Sequence, residues 1–323
     1  MLTSPSIDPD TQTLFLLSHL REEFVQTYSS GNLNMRKFQP QSELPVARKE
    51  IRLEDLPAEV DWRKQGVITS VRDQGMCGSC WAFASSSVMA SYAKISDMTH
   101  DLLELSPQHL VSCTPNTLQC GGSGGCMGSV APLAYTYASL FGVVAEEDYP
   151  YTSGDPWGIG DDQVCNFDAT NTDASVMVMG WETLPHNDML AVMDHLANKG
   201  PLSASVAASD WSLYSGGVFD GCDYDSDIVV NHAVMLVGYG TDPTDGDYWL
   251  IKNSWGTGWG DSMTDGNEGY IRLRRRSEPM CGTDYSPLDG SGCVDGGVDS
   301  VYVCGTCAVL SGNSYPIGTH FLK

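Results

Sequence analysis

The decapeptide Gln74-Gly-Met-Cys77-Gly-Ser-Cys80-Trp-Ala-Phe83 constrains this chain more than any other stretch of it. A cysteine that does chemistry has to be a thiolate, whereas a free thiol has a pKa of about 8.5. The positive end of a helix and an imidazolium neighbour both lower that value. The residues here suit the first device. Gly75 and Gly78 permit a tight turn, Ser79 is a residue type that starts helices, and Trp81 to Ala93 is small or apolar without Pro or Gly. Cys80 is therefore expected at the start of a buried helix, among backbone N–H groups that lack helical partners. Gln74 is placed to offer a side-chain amide to an oxyanion beside the same sulfur.

For one cysteine among eleven, a disulfide or a buried structural thiol is the commoner fate. The local pattern argues otherwise. Cys77-Gly-Ser-Cys80-Trp81 fits at every position the signature around the nucleophile of papain and the cathepsins, which also requires a His and an Asn far downstream. Of the seven histidines, His232 alone opens an apolar run closed by glycine, Ala233 to Gly240, the pattern of a buried strand. Asn253 follows in a second aromatic strand, Tyr248 to Trp255, so a hairpin would bring the two together. His109 and His195 fall in helix-like segments, and His19, His100, His186 and His320 read as exposed.

With these residues in this order the chain resembles papain-like cysteine peptidases, in pattern closest to cathepsin L, over about residues 56 to 316. The resemblance implies an α+β, two-lobe fold, with a helical left lobe, an antiparallel β-barrel-like right lobe and a cleft between them. It implies Cys80 as nucleophile, His232 as general base and then acid, Asn253 orienting the imidazole, Gln74 as oxyanion donor, and Trp255 shielding the Asn–His contact. It implies an endopeptidase acting on proteins and peptides through a thioester, since no histidine-bearing loop is visible. The alternative is a silent homologue that serves as a binding protein. Cystatin-type inhibitors are implied partners, and the chain is expected to be a monomer.

By the same resemblance, the pocket for the side chain preceding the cleaved residue is lined by Val130, Ala131, Ser205, Val230, Ala233 and Gly312. None is charged, which predicts bulky apolar or aromatic side chains there. Gly128 and Ser129 would line the substrate backbone. Ser129 departs from the family, which usually has glycine at that position.

Three disulfides are implied by the family: Cys77–Cys126, Cys113–Cys165 and Cys222–Cys307. Cys120, Cys281, Cys293 and Cys304 have no family partners. Cys281–Cys293 with Cys120–Cys304 is one of three possible pairings. Cys304-Gly-Thr-Cys307 lacks a second ligand pair at zinc spacing, so no metal or other cofactor is expected.

A net charge of −24 argues against nucleic acid or an anionic membrane surface as partner. No stretch reaches the roughly 20 apolar residues that span a bilayer. No signal peptide is visible either, although eleven cysteines fit an oxidising compartment. The expectation that reconciles these is a leader missing from this chain, with a lysosomal, vacuolar or secreted location.

Residues 1–55 read as a remnant pro-segment and linker, with a helix around Leu20 to Tyr28. Residues 56–165 read as the helical lobe, and residues 166–323 as the β-rich lobe. Three stretches exceed the family's usual length. They are Ser153–Val164, Asp261–Glu268 (expected to be a solvated acidic loop rather than a calcium site) and Arg276–Val303, expected to be a surface insertion with spare cysteines. The basic run from Arg272 to Arg276 reads as a solvated strand end.

Overall fold

The structure, a computed structural model, describes residues 51–155, 164–167, 174–225, 227–264, 266–294 and 297–322. The expected pro-segment helix and His19 lie outside these residues. Helix α1 spans Cys80–Ser96, α2 Pro107–Cys113, α3 Ala131–Phe141 and α4 Met189–Asn198. The strands are β1 (Val60–Asp61), β2 (Val176–Met177), β3 (Gly180–Thr183), β4 (Leu202–Val206), β5 (Val218–Phe219) and β6 (His232–Asp242). They continue with β7 (Gly246–Lys252), β8 (Tyr270–Arg274), β9 (Cys281–Asp284), β10 (Val301–Cys304), β11 (Gly312–Ile317) and β12 (His320–Phe321).

Helix α1 is apolar on nearly every side because it runs through the centre of the molecule. Eleven of its 17 residues are buried, and it packs on α2, α3 and β6. Its serines stay in that setting by returning their hydroxyls to backbone carbonyls, Ser85 to Trp81 O at 2.7 Å and Ser91 to Val67 O at 2.6 Å. Helix α2 has the expected start: Ser106 Oγ accepts the His109 amide at 2.9 Å, with Pro107 in the first turn.

The principal sheet has the order β3-β11-β4-β6-β7-β8-β5, with β1 also paired to β6. All pairings in it are antiparallel except β5 with β8. The path is open, so the right-hand sheet is not a closed barrel. The β6–β7 hairpin brings His232 and Asn253 to the same end of two adjacent strands. One core cluster gathers α1, α2 and α3, and a second gathers α4 and the sheet around Trp211, Leu236 and Trp249.

The structure contains the three disulfides implied by the family. The remaining pairing differs from the one favoured from sequence: the bonds are Cys120–Cys293 and Cys281–Cys304. Sheet register decides it, because Cys281 faces Cys304 across the β9–β10 ladder. Cys120 in turn faces Cys293 in an isolated bridge.

Two expectations about charged segments are also corrected. The basic run is ion-paired along its length rather than freely solvated. Arg272 is buried between Asp242 (2.7 Å) and Asp261 (2.9 Å), Arg275 pairs with Asp247, and Arg274 and Arg276 pair with Asp220. Asp261 is fully buried as that partner, whereas Ser262, Met263, Thr264 and Glu268 of the same stretch are exposed as expected of a solvated loop. Among the described residues no cluster of His, Cys, Asp and Glu could hold a metal ion, and no helix is long and apolar enough to cross a membrane.

Candidate active site

Cys80 is the first residue of α1 and the free cysteine among the described residues. The bend that places it there is held from outside the helix. Ser79 precedes α1 without capping it; its hydroxyl instead shares a 2.7 Å hydrogen bond with Tyr151 OH, which also donates to Gln74 O at 2.8 Å. The Gly78 amide donates to Cys126 O at 2.9 Å, and the Cys77–Cys126 bond fixes the same crossing covalently. The helix start therefore stays aimed at the sulfur, with its first amides unpaired by helical bonds.

His232, the first residue of β6, lines the same cavity as Cys80 and is coupled to it electrostatically. Its Nε2 meets Asn253 Oδ1 at 2.7 Å, which leaves Nδ1 as the ring atom for the sulfur. Burial by itself would push the Cys80 thiol up. The charge and hydrogen bond of His232, with the backbone amides of Ala233 and Trp81, outweigh it and hold the thiol below its ordinary value. Burial would likewise push the His232 imidazole down, but the Cys80 charge and the hydrogen bonds to Cys80 and Asn253 raise it. The two shifts agree in direction: each group stabilises the charged form of the other. The arrangement favours a thiolate–imidazolium pair before any substrate binds.

Trp255 lies against the imidazole with ring centres 5.0 Å apart, and Trp211 meets it edge-on at 6.2 Å. Trp259 continues the stack, and the His232–Asn253 hydrogen bond is buried beside it. Exclusion of water strengthens that bond.

Gln74 lines the same cavity as Cys80, and its amide is fixed at both ends. Oε1 accepts from Ser254 Oγ at 2.7 Å, and Nε2 donates to Cys77 O at 2.9 Å, which leaves its second N–H for a ligand. Ser254 and Tyr151 are absent from the sequence expectations, and Ser79, expected there as a helix-starting residue, precedes α1 but turns its hydroxyl to Tyr151. Of the first two, only Ser254 carries a sequence signal, its place directly after Asn253, and its amide also donates to Asn253 Oδ1 at 2.8 Å.

A cavity of about 300 Å³ holds Gln74, Gly78, Cys80, Gly128, Ser129, His232 and Ala233. A second, of about 520 Å³, adjoins it through Ser129 and Ala233 and brings together Val130, Ala131, Ser205 and Gly312. Val230 does not line it; it is fully buried, and its amide donates to Asp284 Oδ2 at 3.3 Å. Part of the wall that Val230 was expected to form belongs to Gly290–Cys293, in the segment read from sequence as a surface insertion. His109 and His195 are structural. Both are buried and pushed down to about 3 by burial, and they contact Tyr137 OH and Tyr92 OH. His100, His186 and His320 are exposed.

Residues 56–289 match the model of the papain family cysteine protease domain. Chicken (Gallus gallus) cathepsin K is 38% identical over 266 residues, 81% of this chain and 71% of the relative. Vignain from Vigna mungo is 36% identical over 267 residues, 80% of this chain and 67% of the relative. The structure of bromelain from Ananas comosus in complex with the E64 inhibitor is similar at a TM-score of 0.60 and 29% identity, covering 81% of this chain and 99% of bromelain. With a free thiol at a helix start, beside a histidine that is itself held by an asparagine, the chain belongs to the papain family of cysteine proteases.

Proposed function

We propose that this protein hydrolyses peptide bonds through a thioester on Cys80. The observation that carries this reading is the free Cys80 at a helix start sharing one cavity with His232, whose Nε2 is held by Asn253 Oδ1 at 2.7 Å. The thiolate attacks the scissile carbonyl carbon. The oxyanion that forms is met by the Gln74 side-chain N–H and the amide at the start of α1. His232 gives its proton to the leaving amine, and the C–N bond breaks to leave a thioester. The neutral imidazole then takes a proton from water, hydroxide adds to the thioester, and the thiolate departs as the acid is released. Asn253 carries no charge, so its part is to keep the ring oriented.

The active ion pair exists between two titrations. Cys80, held low, loses its proton first as pH rises, and His232, held high, loses its proton last. Alkylation of Cys80 by iodoacetamide is therefore expected to persist well below the pH at which a free thiol reacts, and kcat/KM is expected to be bell-shaped. An alkylation rate that follows an ordinary thiol titration would overturn the ion pair.

The 520 Å³ cavity is lined by small and apolar groups, with Gly312 on β11 facing Ser205 on β4. It suits a bulky apolar or aromatic side chain one residue ahead of the cleaved one. A substrate scan at that position is expected to favour Phe and Leu over Arg by at least about tenfold, the worth of burying one such side chain without stranding a charge. A preference for Arg would count against the pocket assignment. The expectation of internal cleavage meets one obstacle, the Asp289–Cys293 segment that spans the cleft. Five disulfides among the described residues and the acidic charge support a lysosomal, vacuolar or secreted setting.

A further inference from the structure

After β9 the chain leaves its own lobe. It makes a single turn over Pro287–Asp289 and then crosses from one wall of the cleft to the other through Gly290–Cys293. Gly290 touches both walls at once. A Cβ on it would stand 2.1 Å from Val230 O and 2.9 Å from Asn231 Cα, whereas a Cβ on Gly121, opposite, would stand 3.0 Å from Gly290 O. On that opposite wall the Gly121 amide donates to Gly292 O at 2.8 Å and the Val294 amide to Leu118 O at 3.1 Å. Cys293 is covalently bound there to Cys120. The strap is thus joined to one wall through β9 and to the other through a disulfide, and it closes a ring over the cleft.

The ring stands where substrate lies. Asp289 and Gly290 line the 300 Å³ cavity that holds Cys80 and His232, while Gly290–Cys293 form part of the wall of the 520 Å³ cavity beyond it. Ser129 belongs to both cavities. It is 6% exposed, and its hydroxyl has no hydrogen-bond partner, which leaves a buried polar atom for a bound main chain. A polypeptide running through the cleft in both directions would have to thread beneath a covalently closed loop. A chain end only has to slide in. Asp289 is exposed on the strap and forms no ion pair among the described residues, so its carboxylate is available to an α-ammonium group, which has a pKa near 8 in peptides.

We propose that the strap restricts this protein to substrates with a free N-terminus, from which it releases dipeptides. This rests on the thioester reading above and names the substrate class of the same site. The residue being cleaved occupies the cavity at Cys80. The side chain before it enters the 520 Å³ cavity, whose wall the strap helps to form, and Asp289, on the rim of the cavity at Cys80, meets the terminal ammonium. The bond broken is the peptide bond after the second residue. One water is consumed per turnover, and the products are a dipeptide acid and the shortened amine.

The test compares three fluorogenic peptides on the protein: Phe-Arg-amidocoumarin with a free N-terminus, the same peptide acetylated, and the same peptide extended by one glycine, which shifts dipeptide release out of register with the fluorophore. Acetylation or extension is expected to lower kcat/KM at least tenfold. Asp289→Asn is expected to lower kcat/KM several-fold for the free peptide alone. Cys120→Ser with Cys293→Ser, which unties the strap, is expected to raise cleavage of the acetylated peptide. Equal rates on all three peptides with the unaltered protein would overturn the proposal and leave the thioester reading intact. No turnover of any of them, with Cys80 intact, would overturn the thioester reading itself. Asp289→Asn needs no new packing because the side chain is exposed, so its result stands even if the double variant fails to fold.

Discussion

Replacing Cys80 with Ser or Ala is expected to lower kcat/KM by a factor on the order of 10⁴ or more, with the folded state unchanged. Serine keeps the size of the side chain and its place at the start of α1, but its hydroxyl does not ionise beside His232. The attacking atom would then have to lose its proton during the reaction instead of before it. Gln74 and the helix-start amide remain in both variants, so binding and oxyanion stabilisation leave a residual rate above that of water. The measurement is peptide hydrolysis alongside labelling by iodoacetamide and by a thiol-directed epoxide. The other ten cysteines are all disulfide-bonded, so the label should be lost entirely. Unchanged activity or unchanged labelling in Cys80→Ala would remove Cys80 as the nucleophile.

Replacing Arg272 with Leu is expected to destabilise the fold by about 3–5 kcal/mol, the usual cost of stranding one partner of a buried ion pair. Arg272 is 8% exposed on β8, and its guanidinium bonds to both Asp242 and Asp261. Asp261 is fully buried, and its Oδ1 already lacks a partner, so without Arg272 only the Asn267 amide at 3.3 Å would face its charge. At roughly 2–4 °C per kcal/mol for a domain of this size, the midpoint of thermal unfolding should fall by roughly 10 °C. Asp261→Asn added to Arg272→Leu should recover part of the loss, because no charge is then left buried alone. A single variant within about 0.5 kcal/mol of the unaltered protein would show that the pair is an ordinary surface contact.

The same pair shows the limits of reading a segment from its own residues. Arg272 to Arg276 and Asp261 to Glu268 are each strongly charged, and each alone looks like a solvated face. Neither stretch contains its partner: Arg272 meets Asp261 and Asp242 only through the packing of β8, and Arg274, Arg275 and Arg276 find Asp220 and Asp247. The spare cysteines behave likewise. Four of them admit three pairings, and the choice was made by the β9–β10 register and by the path of the strap, which no local pattern records.

By contrast, the setting of Cys80 was legible from its neighbours because it depends on short-range causes. A run of small apolar residues starts a helix, the helix start offers amides, and the strand that begins at His232 needs only the adjacent hairpin to meet Asn253. The sequence by itself determined where Cys80, His232 and Asn253 stand, since each sits at the end of an element whose periodicity is local. Only the tertiary structure decided what reaches them. The strap from Asp289 to Cys293 closes the cleft through contacts and a disulfide between residues 173 positions apart, and the forces that hold it act across space rather than along the chain.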